Sequence, residues 1–379
     1  MSQNEGGTVW VLGAGFSKSL GGPLLVDLFS RQSIANLETR FPVKEFKKLH
    51  DDRVRLVVGL YLAGTSWAEH LREGRETARV WANAEEFLDY LDTAAAGGEE
   101  SPAWKRIVGV THEWLKKPAT PKTLVGPARR LLAAECAAFS KGADPDSETW
   151  EPYRLWFKGL TGEDTIITFN YDRVLEMLNE TGENSSGLHV AVPGDTEMHG
   201  GPRVFKLHGS VDWQWTGKEL WQIGITDDPF YAVTCEDEES IAIAMPGPSK
   251  RGFVGRIMNE YWNPALKAVQ KASRVFFLGY RFPPTDSSAR RLLLSALGAN
   301  TNTRFDVHVV LGPDVQGEKV RRMSELLRFT MLRKTANVRV VVGEPRPTDP
   351  TANDAMVHVH ALYVEDFLTV YNPASLKRL

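Results

Sequence analysis

Four short clusters of glycine, amide, carboxylate and imidazole residues hold the chemistry open to this chain. They are Gly13-Ala14-Gly15-Phe16-Ser17, Asn170-Tyr171-Asp172, His208-Gly209-Ser210, and Gly279-Tyr280-Arg281 followed by Pro283, Pro284 and Asp286. Glycines of the first kind let backbone approach a pyrophosphate, with N–H groups and a helix N-terminus supplying positive potential. An asparagine and an aspartate two residues apart can orient a bound group by hydrogen bonds. A histidine with a solution pKa of ~6.5 can take a proton from a hydroxyl or water at neutral pH.

Each cluster also has a plain structural reading. Gly13-Ala14-Gly15 lacks the G-x-G-x-x-G spacing of a dinucleotide fingerprint, and a simple strand-to-helix turn accounts for such a triplet as readily. Asn170 and Asp172 fit a helix N-cap and a first-turn carboxylate. His208 before Gly209 fits a turn histidine, and Glu85-Glu86 fits the charged first turn of a helix. Placement weighs more than any one cluster, because each follows a predicted strand.

Those strands are read from apolar, β-branched runs: Thr8 to Leu12, Thr165 to Phe169, Arg203 to Leu207 and Val275 to Leu278, with further strands at Phe305 to Leu311 and Val338 to Val342. Helical spacing lies between them: Val174/Leu175/Leu178, Arg256 to Ala272, Asp286 to Leu297 and Lys319 to Leu332. Alternation of this kind implies an α/β fold with a Rossmann-like, doubly wound, mostly parallel sheet. Ligands of such sheets sit outside the carboxyl ends of the strands, where the four clusters would converge. Residues 31–155 differ in texture, rich in Ala, Leu, Glu, Arg and Trp, and broken at Gly97-Gly98 and Pro118 to Pro121. They read as a helical insertion between the core segments 1–30 and 156–345, with 346–379 as a C-terminal strand and helix extension.

Composition narrows the function. The 379 residues carry a net charge of -3, so no global basic field recruits nucleic acid or anionic lipid. The pairs Arg129-Arg130, Arg290-Arg291 and Arg321-Arg322 read as solvated helix faces. No run approaches the ~18 apolar residues of a membrane span, and the N-terminal residues lack the pattern of a secretory signal. Cys136 and Cys235, far apart and outside any CxxC, leave neither a cysteine zinc site nor a disulfide framework. A cytoplasmic protein is expected, with no metal; His358-x-His360 reads as alternating strand residues. Trp213, Trp215 and Trp221 read first as core.

In order and wording, GAGFS, TFNYD, KLHGSVDW and LGYRFPPTD resemble the sirtuin-like (silent information regulator) domain, particularly its prokaryotic branch. The resemblance spans about residues 8–30 and 160–315, and Asn83 to Leu91 is similar to a helix often seen in that branch. It implies NAD as substrate. Gly13, Ala14, Gly15, Phe16 and Ser17 would hold its phosphates and ribose. Asn170 would orient the nicotinamide ribose or the attacking water, and Asp172 would bond the carboxamide. His208, flanked by Gly209 and Ser210, would contact the ribose hydroxyls and act as general base. Gly279, Tyr280 and Arg281 would line the adenosine side, with Asp286 nearby. Departure of neutral nicotinamide leaves an oxocarbenium-like sugar, so catalysis needs orientation, a dry pocket and placed dipoles more than a strong nucleophile.

The sequence departs from sirtuin protein deacylases, which usually carry four zinc-binding cysteines beside the peptide groove. The late strand runs into Leu311-Gly312-Pro313-Asp314 where the family often has an adenosine-contacting asparagine. Loss of the peptide module favours water as acceptor, giving an NAD nucleosidase similar to the NAD-depleting effectors of antiphage defence. The resemblance further implies a homo-oligomer through the helical insertion and a hexameric, HerA-like ATPase partner from the same operon. A zinc-free deacylase or ADP-ribosyltransferase, a silent NAD- or ADP-ribose-sensing subunit, and an ordinary dehydrogenase stand as the other readings.

Overall fold

A computed structural model describes residues 7–70, 81, 83–115, 118–195, 200–216, 222–283, 286–302, 305–313, 317–331, 338–342, 355–371 and 373. Pro284, Asp314 and Trp221 lie outside the described residues. The strands in chain order are β1 (Thr8–Leu12), β2 (Thr165–Thr168), β3 (His189–Val190), β4 (Arg203–Lys206), β5 (Gly209–Thr216), β6 (Gln222–Ile225), β7 (Ile241–Ile243), β8 (Arg274–Leu278), β9 (Asp306–Val310), β10 (Val338–Val342) and β11 (Ala355–His360). Eight of them form one sheet in the order β10-β11-β9-β8-β1-β2-β4-β3, and its strand pairs are all parallel.

The central strands are buried on both faces, which explains their unbroken apolar runs. Alternate residues feed two separate layers, as the two-residue period of a strand requires. Val9, Val11, Ile167, Phe205, Val275 and Phe277 pack with the helices Asn263–Lys271, Ser287–Gly298 and Glu318–Met331. Trp10, Leu12, Ile166, Val204, Phe276 and Leu278 pack with the helices Glu151–Gly159, Val174–Glu180 and Val364–Val370. Trp10 stacks on Phe276 at 4.3 Å and closes its own polar atom by a 3.2 Å bond from Nε1 to Asp164. The fold is thus a doubly wound Rossmann-like α/β structure.

Residues between β1 and β2 supply a helical layer with its own apolar core. Its helices are Arg31–Arg40, Asp52–His70, Ala84–Gly97, Pro102–Leu115 and Pro121–Ala138. The breaks fall where the sequence places them: Gly98, at φ 71, ends one helix, and Thr120 caps another in a capping box with Pro121 at its first turn. This core continues into a feature the sequence reading did not foresee, a three-stranded antiparallel sheet of order β6-β5-β7. Val211, Ile241 and Ile243 of that sheet pack against the helices.

Three expectations need correcting. Arg130 is not on a solvated face: it is fully buried, donates to the carbonyls of Ala232 (3.3 Å) and Val233 (3.2 Å), and stands 3.6 Å from Glu238. Its partners come from the unforeseen sheet region, so a local pattern could not reveal them. No helix follows the first glycine loop; residues 14–29 run in turns, and the next helix starts at Arg31. Gly22 breaks it, since its N–H closes back on the Ser17 carbonyl at 2.8 Å. Finally, β11, expected in an appendage, sits inside the sheet between β10 and β9, with Val357 and Val359 buried. Trp213 is core, with no exposure at all. Among the described residues no helix is long and apolar enough to cross a membrane.

Candidate active site

The four clusters follow four strands that are neighbours in the sheet: β8, β1, β2 and β4. Register places them level. Leu12 pairs with Thr168 and with Leu278, and Thr168 pairs with Lys206. Asn170 and His208 therefore each stand two residues past a matched pair, at the carboxyl edge. The chain reverses its direction of growth between β1 and β8, the topological switch point at which such sheets open a crevice.

The glycines serve first to let two loops touch. Gly13 donates to the Leu278 carbonyl at 3.0 Å and Gly15 to the Gly279 carbonyl at 3.2 Å. Gly279 has φ +66, and a Cβ there would lie 2.4 Å from the Gly15 carbonyl carbon. Only glycine fits such a backbone contact. With the Phe16 amide bonded to Gly13 at 2.8 Å, the loop can offer a phosphate at most the amides of Ala14 and Ser17.

Beside this loop is a closed hydrogen-bond unit. Asn170 Nδ2 donates to the Gly13 carbonyl at 3.0 Å and to Ser17 Oγ at 3.1 Å. Ser17 Oγ in turn donates to Asp172 Oδ2 at 2.7 Å. The other oxygen, Asp172 Oδ1, accepts the Val174 N–H at 3.1 Å and so opens the helix Val174–Glu180. Beneath, the buried Lys206 ammonium donates to the Asp172 carbonyl at 2.6 Å and to Glu176 at 2.8 Å. Burial raises the pKa of Asp172; the Ser17 bond and the Lys206 charge oppose that shift. Asn170 is thus no helix cap, whereas Asp172 combines a capping role with its bond to Ser17.

His208 occupies an aromatic box. Phe169 meets its ring edge-on at 4.9 Å, with Tyr171 at 6.3 Å and Trp262 at 6.4 Å. Burial, with Lys250 as the second cause, lowers its pKa to about 3, so the ring is neutral. A hydrogen bond to the Phe169 backbone engages the ring, while Nε2 is buried and lacks a hydrogen-bond partner. Tyr280 stacks on Phe169 at 4.6 Å, and its buried hydroxyl is likewise unpartnered.

Around His208 are groups the sequence reading placed elsewhere or passed over. Asp286 Oδ2 is 3.4 Å from His208 Nε2, and Asp286 Oδ1 is 3.2 Å from Lys250 Nζ. Lys250 lies in the helix Pro248–Ile257, whose Gly247-Pro248 start is legible in the sequence, but nothing marks its lysine. The Ser249 amide of that helix is bonded by Asp92 at 2.6 Å, so the helical layer steadies Lys250. Glu85 of the same layer is buried and close enough for its charge to act on Tyr171 and Tyr280. By contrast Arg281 is exposed and turns onto the Leu311 carbonyl at 2.6 Å. Gly209 and Ser210 are structural neighbours: a Cβ on Gly209 would strike the Ala242 carbonyl at 2.0 Å, and Ser210 bonds the Tyr171 carbonyl at 3.2 Å.

Two further groups are of types suited to metal or thiol chemistry: three histidines and the two cysteines. His308, His358 and His360 stack face to face on β9 and β11, with His308 Nδ1 3.0 Å from His360 Nε2. Among the described residues no group of three or more His, Cys, Asp or Glu is placed to hold a metal ion. Both cysteines are buried and unpaired.

No curated protein matches the chain. Residues 164–340 match the family model of the SIR2-like domain. That match begins just before β2 and ends on β10, and the fold seats β1 with its glycine loop between two of the matched strands, β2 and β8. Residues 164–340 therefore form a sirtuin-like domain, which supports an NAD-related function.

Proposed function

We propose that this chain is an NAD glycohydrolase, which releases nicotinamide from NAD and passes the ADP-ribosyl group to water. The observation that carries the reading is the level placement of Asn170 and His208 just past the paired strands β2 and β4, with His208 Nε2 buried and unpartnered in an aromatic box. As the bond between C1′ and nicotinamide breaks, its electron pair leaves with nicotinamide, which becomes neutral. Water oxygen closes on C1′, and its proton goes to His208 Nε2. Asn170, fixed by Gly13 and Ser17, orients the ribose or the water. Asp172 has a lone pair left on each oxygen for the carboxamide. Preorganised groups of this kind account for large rate effects without a strong nucleophile.

Water is the favoured acceptor because two separate cysteines cannot build the zinc module that borders a peptide groove. On the resemblance to prokaryotic sirtuin-like domains, the proposal extends to a cytoplasmic, NAD-depleting effector of antiviral defence. It would work as a homo-oligomer built on the helical layer and under control of a hexameric ATPase. The test is chromatography of NAD incubated with the purified chain, alone and with the products of neighbouring genes. Equal amounts of nicotinamide and ADP-ribose are expected. Nicotinamide released only when an acylated peptide or an acceptor protein is added would replace this reading with a transferase.

A further inference from the structure

Asp286 stands at the N-cap position of the helix Ser287–Gly298 yet makes no side-chain capping bond. Aspartate is among the residues best suited to that bond. Its carboxylate is instead drawn aside, almost fully buried, between two groups from other elements: Lys250 Nζ at 3.2 Å and His208 Nε2 at 3.4 Å. Lys250 is itself largely shielded, with 12% of its side chain exposed. His208 Nε2 and Asp286 Oδ2 face each other at 3.4 Å, with no hydrogen bond made at Nε2. A proton taken up at Nε2 would lie against that carboxylate. Tyr171, whose own hydroxyl is given to the Ala244 carbonyl, is the remaining titratable group against the His208 ring.

We infer that Asp286 is the positioning residue of His208, held in place by Lys250, and that it stabilises the imidazolium formed when Nε2 takes a proton. This rests on the glycohydrolase reading for its role in turnover, though the arrangement itself does not. In the step, an O–H bond of water breaks and an N–H bond forms at Nε2. The new positive charge then lies against the carboxylate at Oδ2, and the Nε2–H can donate to it. The logic is that of a carboxylate backing a catalytic imidazole, with the difference that this carboxylate faces the nitrogen that receives the proton. Lys250 keeps the carboxylate aimed, and its charge also holds back protonation of His208.

Two substitutions separate this role from a structural one. Asparagine caps helices as well as aspartate does, so Asp286→Asn would rescue a capping role and not a charge. We expect Asp286→Asn to lower kcat for nicotinamide release by ~10-fold or more, with KM within about threefold and an unchanged Tm. Asp286→Asn at full kcat would overturn the inference. The second readout needs no turnover: the titration of His208 followed by NMR of histidine-labelled protein. Lys250→Met should raise the His208 midpoint by a unit or more, and adding Asp286→Asn to that variant should bring it back down. A midpoint unmoved in both variants would overturn the inference even if the rate arm agreed. If the wild type releases no nicotinamide, the glycohydrolase reading fails while this titration still decides whether the Lys250–Asp286 pair acts on His208.

Discussion

The two halves of the candidate site differ in how their polar atoms are used. Around Asn170, Ser17 and Asp172 every side chain has a partner in the protein, and the unit is tied to the glycine loop on one side and to Lys206 on the other. On the other side, His208 Nε2 and the Tyr280 hydroxyl are buried without a hydrogen-bond partner. Leaving such atoms unpaired costs ~1–3 kcal/mol each, a cost a fold tolerates only where something else gains. The contrast separates a preformed frame from a receptive face. The frame fixes geometry before any ligand arrives; the face keeps its bonding capacity for one.

That contrast can be broken by experiment. The largest effect should come from the frame. Asn170→Ala should lower nicotinamide release by ~10²-fold or more, as loss of an orienting group does. The two hydrogen bonds of its amide add a stability cost of ~1–3 kcal/mol. Rate loss without any fall in denaturation midpoint would mean that the frame is looser than described. Gly279→Ala should come next. Its left-handed backbone and the Gly15 backbone at 2.4 Å from the added Cβ predict ~2 kcal/mol or more of destabilisation, with weaker NAD binding. Isothermal titration with NAD and chemical denaturation on the same preparation check both parts.

The buried histidines give the pH dependence. His208 and His360 are lowered to about 3 and His358 to about 4, burial being the main cause in each. Unfolded, each binds a proton below ~6.5, whereas folded it does not until about pH 3 or 4. Stability is therefore complete above the unfolded value and is lost as pH falls through this window, by up to ~1.4 kcal/mol per unit for each histidine. Denaturation midpoints measured from pH 7 to pH 5 should fall, and His358→Leu should flatten the slope. An unchanged slope in that variant would show that His358 already titrates in the fold.

The smallest effect lies in the helical layer. Burial raises Glu135 to about 7, while it accepts from the Phe29 amide at 2.9 Å and Ser33 Oγ at 2.7 Å. Here the folded state holds the proton more tightly, so this contribution is present at low pH and is lost as pH rises through about 7. Glu135→Gln should raise stability at pH 8 by about 1 kcal/mol relative to pH 6. An equal change at both values would remove Glu135 from the pH balance.

Much of the frame could be read from the chain alone, since it depends on local signals. Apolar runs fixed the sheet strands, and glycine or amide residues straight after them fixed the edge. The receptive face was read less completely. Asp286 read as a helix start near the adenosine side, and its approach to His208 and Lys250 shows only in the structure, beside its missing capping bond. Lys250 follows an ordinary Gly-Pro helix start, and its partner lies 36 residues on, joined through the fold and not through any period. Arg130 and the antiparallel sheet were missed for the same reason. A buried charge leaves no repeating pattern, and the short strands of the antiparallel sheet, three to eight residues each, give little periodic signal.

The most direct measurement compares His208→Ala with wild type in nicotinamide release and in thermal midpoint. The receptive-face account predicts a rate lower by ~10²-fold or more, NAD affinity retained better than rate, and a midpoint changed little. Removing the ring also takes away an unpaired buried nitrogen, which limits the loss of stability. A variant that cleaves NAD at near the wild-type rate while unfolding more easily would contradict the account, leaving His208 a packing residue of its aromatic box.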